Sequence, residues 1–164
     1  MGKEKKMEKF NEKFEFLEKI GEGTFGVVKK CRHKQKNKIY AVKCMGLNEE
    51  HLMFLKKNFK FIRRLDHPNI IKYRSLYLDI PKSTCYLVMD YETMPSLQKV
   101  KNLTEEEVRG IMKQLFDVLF YLHSRHICHR DIKPDNILYD SNTRKIKLID
   151  FGISKKVFSR EQKN

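Results

Sequence analysis

Three polar residues near the end of the sequence have the types and spacing needed to handle phosphate and a metal ion. Asp131 and Asn136 lie five residues apart in the polar segment "HRDIKPDN", and Asp150 follows the apolar run "KIKLI" just before Phe-Gly. Carboxylate and amide oxygens are hard ligands of the kind Mg²⁺ prefers, which suits Asn136 and Asp150. A positioned carboxylate can accept the proton of a substrate hydroxyl, which suits Asp131. The pattern predicts metal-assisted phosphoryl transfer to a hydroxyl.

A glycine-rich turn and a lysine stand in the first third of the sequence. Gly21, Gly23 and Gly26 belong to the stretch "GEGTFG", where glycines let backbone N–H groups approach phosphate oxygens. The glycine spacing alone is also compatible with an ordinary hairpin that binds no phosphate. The turn joins two predicted strands and opens no helix, which argues against a dinucleotide-binding β-α-β unit. Lys43, in "YAVK", is either an exposed strand residue or, together with the turn, a cation for the α- and β-phosphates.

These residues need a scaffold, and the hydrophobic pattern of the first half predicts a sheet with one helix. Strand-like runs occupy residues 14–20, 27–34, 39–45, 67–79 and 85–92, enough for an antiparallel sheet of about five strands. A helix is predicted to begin after the N-cap residue Asn48. Its apolar face consists of Leu52, Leu55, Phe59 and Ile62.

The second half of the sequence is predicted to contain a long helix, whereas the first thirteen residues are predicted to form only a marginal one. Thr104 and Glu107 have the spacing of a capping box and predict the start of a long, deeply buried helix. Its apolar positions are Val108, Ile111, Leu115, Val118, Leu119 and Leu122. Two short strands are predicted at 137–140 and 145–150. Residues 1–13 alternate Lys and Glu, which predicts a marginal helix with no core face.

Composition restricts the classes of protein without choosing one. The chain has 164 residues with 40% hydrophobic content, enough for a core, and a formal net charge of +14 that favours acidic partners such as nucleotides, nucleic acid or anionic membranes. None of the known nucleic-acid motif spacings occurs, so nucleic acid is not expected as a partner. No apolar run approaches the ~20 residues of a membrane span. The four cysteines form no C-x-x-C pair, which favours a reducing, cytoplasmic location.

The glycine turn, Lys43, "HRDIKPDN" and "DFG" occur in the order that is typical of eukaryotic protein kinases, and the sequence resembles that family from Phe14 to its end. Lys133 is typical of the Ser/Thr type, and "HRDIKPDNIL" and "IDFGISKK" are similar to the calcium/calmodulin-dependent group. The resemblance implies an α+β fold that binds ATP and Mg²⁺. It divides the chain into an N-terminal extension (1–13), a β-rich N-lobe with the hinge (14–92) and a partial helical C-lobe (93–164).

The resemblance also implies a role for individual residues. Asp131, Lys133 and Lys43 would be catalytic, and Asn136 and Asp150 would bind Mg²⁺. Val28, Ala41 and Leu138 would sandwich the adenine, Met89 would be the gatekeeper, and the backbone of residues 90–92 would form the hinge hydrogen bonds. The complete nucleotide-binding set is Ile20, Gly21, Glu22, Gly23, Thr24, Phe25, Gly26, Val28, Ala41, Lys43, Met89, Asp90, Glu92 and Leu138.

The sequence departs from the family pattern at three places. Asn58 stands nine residues before His67, where kinases usually place a Glu that pairs with the strand lysine. Asn can hydrogen-bond Lys43 but cannot form an ion pair with it, which leaves both a tolerated change with weak activity and impaired catalysis open. The run between the hinge and the long helix is short, so a turn is expected there instead of a helix. Twelve residues follow Gly152, which predicts a truncated domain with an exposed apolar helix face and a partner that covers it.

Two functions therefore follow from the sequence. The first is a Ser/Thr protein kinase domain that transfers the γ-phosphoryl group of Mg·ATP to protein hydroxyls. The second is a non-catalytic partial kinase or pseudokinase module that acts by binding nucleotide and protein. Asn58 and the short C-terminal part favour the second, whereas Asp131, Asn136 and Asp150 favour the first.

Overall fold

The computed structural model of the chain describes residues 9–23, 26–152 and 154–157, with the backbone alone at 49–51 and 54–56. The chain divides into two compact units. The first consists of the residues up to Phe59 together with Tyr73–Glu92, and the second of Lys60–Lys72 together with the residues from Thr93 onward. None of the described helices is long and apolar enough to cross a membrane.

The first unit is built on a five-stranded antiparallel sheet, which confirms the predicted sheet. A short helix α1 (Phe10–Lys13) precedes strands β1 (Phe14–Gly23), β2 (Gly26–His33) and β3 (Lys38–Gly46). Helix α2 (Glu49–Ile62) follows and begins directly after Asn48, as predicted. Strands β4 (Tyr73–Asp79) and β5 (Thr84–Asp90) complete the sheet in the order β1-β2-β3-β5-β4. On the predicted α2 face Ile62 is buried and Leu52 and Phe59 are half-buried, while the side chain of Leu55 lies outside the described residues.

The prediction that residues 67–72 belong to a strand of this sheet is wrong. His67 and Ile70 close a turn by the bond from Ile70 N to His67 O, at 3.1 Å. Pro68, inside the turn, has no N–H to donate to a ladder. The backbone beyond the turn pairs elsewhere, because Leu148 N donates to Asn69 O at 2.7 Å and its carbonyl accepts from Ile71 N at 3.0 Å. The segment therefore belongs to the second unit, and β4 begins only at Tyr73.

Phe10 corrects the expectation that the N-terminal extension has no core face. The Phe10 side chain is only 3% exposed. Its ring lies 4.7–5.8 Å, centroid to centroid, from four aromatic rings of the sheet, those of Phe14, Phe16, Tyr77 and Tyr86. Aromatic pairs at such distances stabilise beyond the area that they bury. The folded part of the chain therefore begins before β1, with Phe10 in an aromatic cluster of the sheet.

Helix α3 (Glu105–His123) confirms the predicted capping box. Thr104 Oγ1 accepts from Glu107 N at 3.2 Å, and Glu107 Oε2 accepts from Thr104 N at 2.9 Å. The buried face consists of Ile111, Leu115, Val118 and Leu122. The prediction of a deeply buried helix fails on another face, where every fourth residue is apolar and 40–78% exposed: Val108, Met112, Phe116 and Phe120. The exposed apolar helix face that the sequence also predicted is therefore present, whereas the partner that would cover it stays a prediction.

Short strands surround the polar loops of the second unit. Strand β6 (Ile127–Cys128) pairs with β9 (Lys155–Lys156), and β7 (Ile137–Asp140) forms a hairpin with β8 (Lys145–Leu148). Strand β8 ends at Leu148, two residues earlier than predicted, because Leu148 pairs with Ile137, the first residue of β7. Asp150, the last residue of the predicted strand, has a left-handed backbone with φ of 58°. Between the hinge and α3 the chain has a three-residue 3₁₀ turn at Leu97–Lys99, which agrees with the turn expected there.

Candidate functional site

The loop between β6 and β7 holds Asp131 by hydrogen bonds from Asn136. A 3₁₀ turn at Pro134–Asn136 brings the Asn136 side chain back toward Asp131. Asn136 Nδ2 donates to Asp131 Oδ2 and to Asp131 O, each at 2.8 Å, and only 6% of Asn136 is exposed. Lys133 Nζ lies 3.3 Å from Asp131 Oδ1. Both carboxylate oxygens therefore have a partner, and the Asn136 amide is oriented with its nitrogen toward Asp131.

His129 joins this loop to the segment that carries Asp150, and sequence reasoning did not select it. Its Nδ1 accepts from Asp131 N at 3.2 Å, and its Nε2 lies 2.9 Å from Ile149 O. Because Nδ1 accepts, the ring proton belongs on Nε2, which donates to Ile149. The ring is 2% exposed, and burial lowers the pKa of His129. A neutral imidazole thus connects the two segments, and its ring stands edge-on to Phe151 at 4.6 Å.

Asp150 has a conformation that few residues other than glycine adopt. Its φ is 58°, and Arg130 has a φ of 70°. Left-handed non-glycine residues are uncommon and cluster at functional sites. Gly152 N donates to Asp150 Oδ1 at 3.2 Å, and Ile149 N donates to Asn136 O at 2.9 Å. The last bond ties the segment before Asp150 to the backbone of Asn136.

The donor set of this loop fits Mg²⁺. Asn136 uses its amide nitrogen on Asp131, which leaves its amide oxygen for a cation, and Asp150 supplies a carboxylate. The described residues contain no group of three or more His, Cys, Asp or Glu side chains that could hold a metal. Mg²⁺ is usually bound through one or two carboxylates together with substrate phosphates and water. Two protein oxygens are therefore the expected number for this metal.

In the first unit, four predicted site residues share one face of the sheet. Val28 pairs with Lys43, and Ala41 pairs with Met89. Paired residues of antiparallel strands have side chains on the same face, and Ala41 and Lys43 alternate along β3 onto that face. Lys43 is 5%, Ala41 6% and Met89 8% exposed. The interpretation of Lys43 as an exposed strand lysine is therefore wrong, because the residue is buried on the same face as Val28, Ala41 and Met89.

The glycine turn requires glycine at one position above all. Gly26 has a φ of 144°, and a Cβ atom there would lie 2.1 Å from Cys44 O. Gly21 pairs with Val28, and Gly23 pairs with Gly26. Ile20 and Glu22 are exposed on β1. Thr24 and Phe25, which were also predicted to contact the nucleotide, lie outside the described residues.

The remaining predicted residues lie at the ends of strands. Asp90 ends β5, and Glu92 follows two residues later at the end of the first unit. Leu138, half-buried on β7, belongs to the second unit together with Asp131, Lys133, Asn136 and Asp150. The predicted site residues are thus divided between the two units.

Asn58, the departure noted in the sequence, is buried in α2 with 6% exposure. Among the described residues its amide nitrogen has no hydrogen-bond acceptor. A buried donor without an acceptor loses its hydration without compensation. The position is therefore polar at a cost to stability.

Comparison with known proteins agrees with this geometry. The protein kinase domain family matches residues 14–164, and the chain belongs to that family. It is 38% identical over 145 residues to calcium-dependent protein kinase 5 of Plasmodium falciparum, covering 84% of this chain and 25% of the relative. It is 36% identical over 155 residues to cyclin-dependent kinase F-4 of Oryza sativa subsp. japonica, covering 90% and 33%. It is 39% identical over 150 residues to serine/threonine-protein kinase 36 of Pongo abelii, covering 88% and 11%.

The family match confirms the predicted protein kinase family, and the similar proteins include a calcium-dependent protein kinase and a serine/threonine-protein kinase, which agrees with the predicted likeness. The chain spans a third or less of the length of each of the three relatives. The α+β fold with a five-stranded antiparallel N-lobe sheet is likewise confirmed.

Proposed function

We propose that this chain is the ATP-handling part of a Ser/Thr protein kinase and that it transfers the γ-phosphoryl group of Mg·ATP to a protein hydroxyl. The observation that carries the proposal is the pair of 2.8 Å bonds from Asn136 to Asp131. They orient a carboxylate as a proton acceptor next to the amide oxygen of a metal ligand. Phosphoryl transfer needs little from the protein beyond positioning and charge stabilisation, which this arrangement supplies.

Asp131 accepts the proton of the substrate hydroxyl in this mechanism. Asn136 holds Asp131 Oδ2, so Oδ1 is the oxygen that faces Lys133. Lys133 is 46% exposed in its side chain, which leaves its ammonium able to approach the transferring phosphoryl group. His129 is a positioning residue, since it accepts from the Asp131 backbone while it donates to Ile149.

Asn136 and Asp150 would hold Mg²⁺ through an amide oxygen and a carboxylate. When bound, the metal neutralises charge that develops on the phosphates. Lys43 would pair with the α- and β-phosphates, because it lies on the same face of the sheet as Val28, Ala41 and Met89, the other predicted nucleotide contacts. In the first unit, Val28 and Ala41 would contact the adenine, Met89 would limit the pocket behind it, and residues 90–92 would bind its edge. The role of Leu138 as an adenine contact stays a prediction. A cytoplasmic location stays a prediction.

The decisive experiment compares phosphoryl transfer by the wild-type chain and by Asp131→Asn. The chain would be incubated with γ-labelled Mg·ATP and a Ser/Thr-containing peptide library, with ATP binding measured in parallel. General-base catalysis contributes about 10²–10⁴ in rate, so Asp131→Asn is expected to lose that factor while it retains ATP binding. Asp135→Asn is the matched control, because Asp135 is an exposed carboxylate in the same 3₁₀ turn.

The second candidate is a nucleotide-binding module without catalysis, and Asn58 is the observation that favours it. An amide at this position offers Lys43 no opposite charge, so the lysine would be held less firmly than by a carboxylate. The same experiment separates the two functions. If the wild type and Asp131→Asn label the peptides equally and both bind ATP, the kinase function is wrong and the non-catalytic nucleotide-binding module is supported.

A further inference from the structure

Strand β4 contains one residue too many at the point where it passes the hinge. Tyr73 pairs with Met89 and Ser75 pairs with Val88, so Arg74 is the extra residue of a bulge. A β-bulge locally disrupts the ladder and turns a side chain in a new direction, and bulges are frequent next to functional sites. Here the redirected side chain is that of Arg74.

Arg74 makes a two-pronged contact with the first hinge residue. Its Nε donates to Asp90 Oδ1 at 2.7 Å, and its Nη2 donates to Asp90 Oδ2 at 2.6 Å. A bidentate guanidinium–carboxylate pair fixes orientation as well as distance. Asp90 pairs with Tyr40 on β3, so its side chain lies on the sheet face opposite to Ala41. Arg74 therefore holds Asp90 from the side that faces away from the predicted nucleotide.

The next hinge residue is held from the other face. Lys30 pairs with Ala41 across β2 and β3, which places it on the face of the predicted nucleotide contacts. Its Nζ lies 5.0 Å from the centre of the Tyr91 ring, a cation–π distance, and 3.0 Å from Glu18 Oε1. Tyr91 follows the end of β5 and has no strand partner. Two cations thus contact consecutive hinge residues from opposite faces of the sheet.

We infer that Arg74 and Lys30 are positioning residues for adenine recognition, which hold Asp90 and Tyr91 so that the hinge backbone is preset for the base. The inference rests on the proposed function, in which residues 90–92 bind the adenine edge. Presetting a binding segment lowers the conformational entropy lost when the ligand binds. An exposed ion pair without such a role contributes little to stability and should not affect the affinity for adenosine. A positioning role predicts weaker binding of the adenine part of the ligand, whereas an ordinary surface ion pair predicts no effect that is specific to the adenine.

The experiment measures the affinity of the full 164-residue chain for three probes by titration calorimetry. The probes are ATP, adenosine without phosphates, and inorganic triphosphate without a base. Arg74→Gln is the principal variant, and Lys30→Met tests the other face. Arg32→Gln is the matched control, because Arg32 forms an exposed ion pair with Glu15 at 3.4 Å in the same sheet and the change removes the same charge.

Compared with Arg32→Gln, Arg74→Gln is expected to weaken adenosine and ATP by the same factor, about fivefold, at the upper end for an exposed pair. Its affinity for triphosphate should match that of Arg32→Gln, because both lose one positive charge. Arg74→Lys should recover only part of the loss, since lysine cannot form the fork. The exchanged pair Arg74→Asp with Asp90→Arg should restore adenosine binding, which also covers the case in which Arg74→Gln does not fold.

Two results would overturn the inference alone. One is an adenosine affinity of Arg74→Gln equal to that of Arg32→Gln, and the other is a loss of equal size for all three probes. Absence of ATP binding by the wild-type chain would instead overturn the proposed function and the inference together. The outcomes therefore distinguish failure of the positioning role of Arg74 and Lys30 from failure of the proposed function.

Discussion

Asn58→Leu is expected to stabilise the protein, although it removes a buried polar group from a helix. Asn58 is 6% exposed, and its Nδ2 has no acceptor among the described residues. Leaving a buried donor unpaired costs about 1–3 kcal/mol, and leucine lacks that donor. Leucine also has a helix propensity about 0.4 kcal/mol better than that of asparagine.

The gain is reduced by the difference in shape between the two side chains. Fitting a branched apolar side chain into a packed site costs about 1 kcal/mol. The net stabilisation is therefore about 1 kcal/mol, which for a chain of 164 residues raises the melting temperature by about 3 °C. Calorimetric melting of the wild type and the variant measures this directly, and it also shows whether the two units melt together.

Asn69→Leu is the control for this prediction. Asn69 Nδ2 donates to Gln114 Oε1 and to Ile146 O, both at 2.9 Å. Loss of both bonds is expected to destabilise the protein by about 2 kcal/mol, at about 1 kcal/mol per bond. If Asn58→Leu destabilises as much as Asn69→Leu, the Asn58 amide is hydrogen-bonded after all, and the argument from its burial is wrong.

Three further predictions follow from the described contacts. Phe10→Ala should lower the free energy of unfolding by about 3 kcal/mol in urea titration, because the ring is 3% exposed among four aromatic rings; a loss below about 0.5 kcal/mol would show that α1 is not part of the core. Thr104→Ala should cost about 1 kcal/mol by removing the cap of α3, whereas Thr104→Ser should cost much less. Burial lowers the pKa of His129, so the stability that depends on its neutral form is fully present above about pH 6.5 and is lost as the pH falls toward the lowered folded-state value. His129→Gln should therefore reduce the decrease of the urea midpoint between pH 7.5 and pH 5.5. A pH dependence of the midpoint equal to that of the wild type would contradict this prediction.

Local pattern was sufficient for those strands and helices whose hydrophobic spacing and capping signals lie within their own residues. The capping box at Thr104 and the buried stripe of α3 follow from spacing alone. The error at 67–72 has a nonlocal cause, since its backbone bonds go to Leu148, far along the chain. Phe10 was missed because a single aromatic residue among Lys and Glu has no periodic partners nearby. Val108 was misjudged because periodicity defines a face and does not say what lies against it.

The candidate site shows the same division between local and nonlocal information. Motif spacing predicted Asp131 and Asn136, and the structure joins them by hydrogen bonds. The connection from His129 to Ile149 spans twenty residues and leaves no periodic trace. The bulge at Arg74 depends on the register between two strands, which the amino-acid types at β4 do not specify.

The bonds of Asn136 explain why so few residues can organise this chemistry. Its amide nitrogen orients Asp131, the proposed proton acceptor, and its backbone carbonyl accepts from Ile149 N, next to Asp150. Its amide oxygen is the remaining group for a metal ligand. A carboxylate at position 136 could not donate to Asp131 and would repel it. A shorter apolar side chain would remove the bonds to Asp131 and would also lack the amide oxygen. In the proposed function, proton acceptance and metal binding would therefore both depend on one buried amide, whereas a change at Lys133 would alter the charge near Asp131 and leave the amide in place.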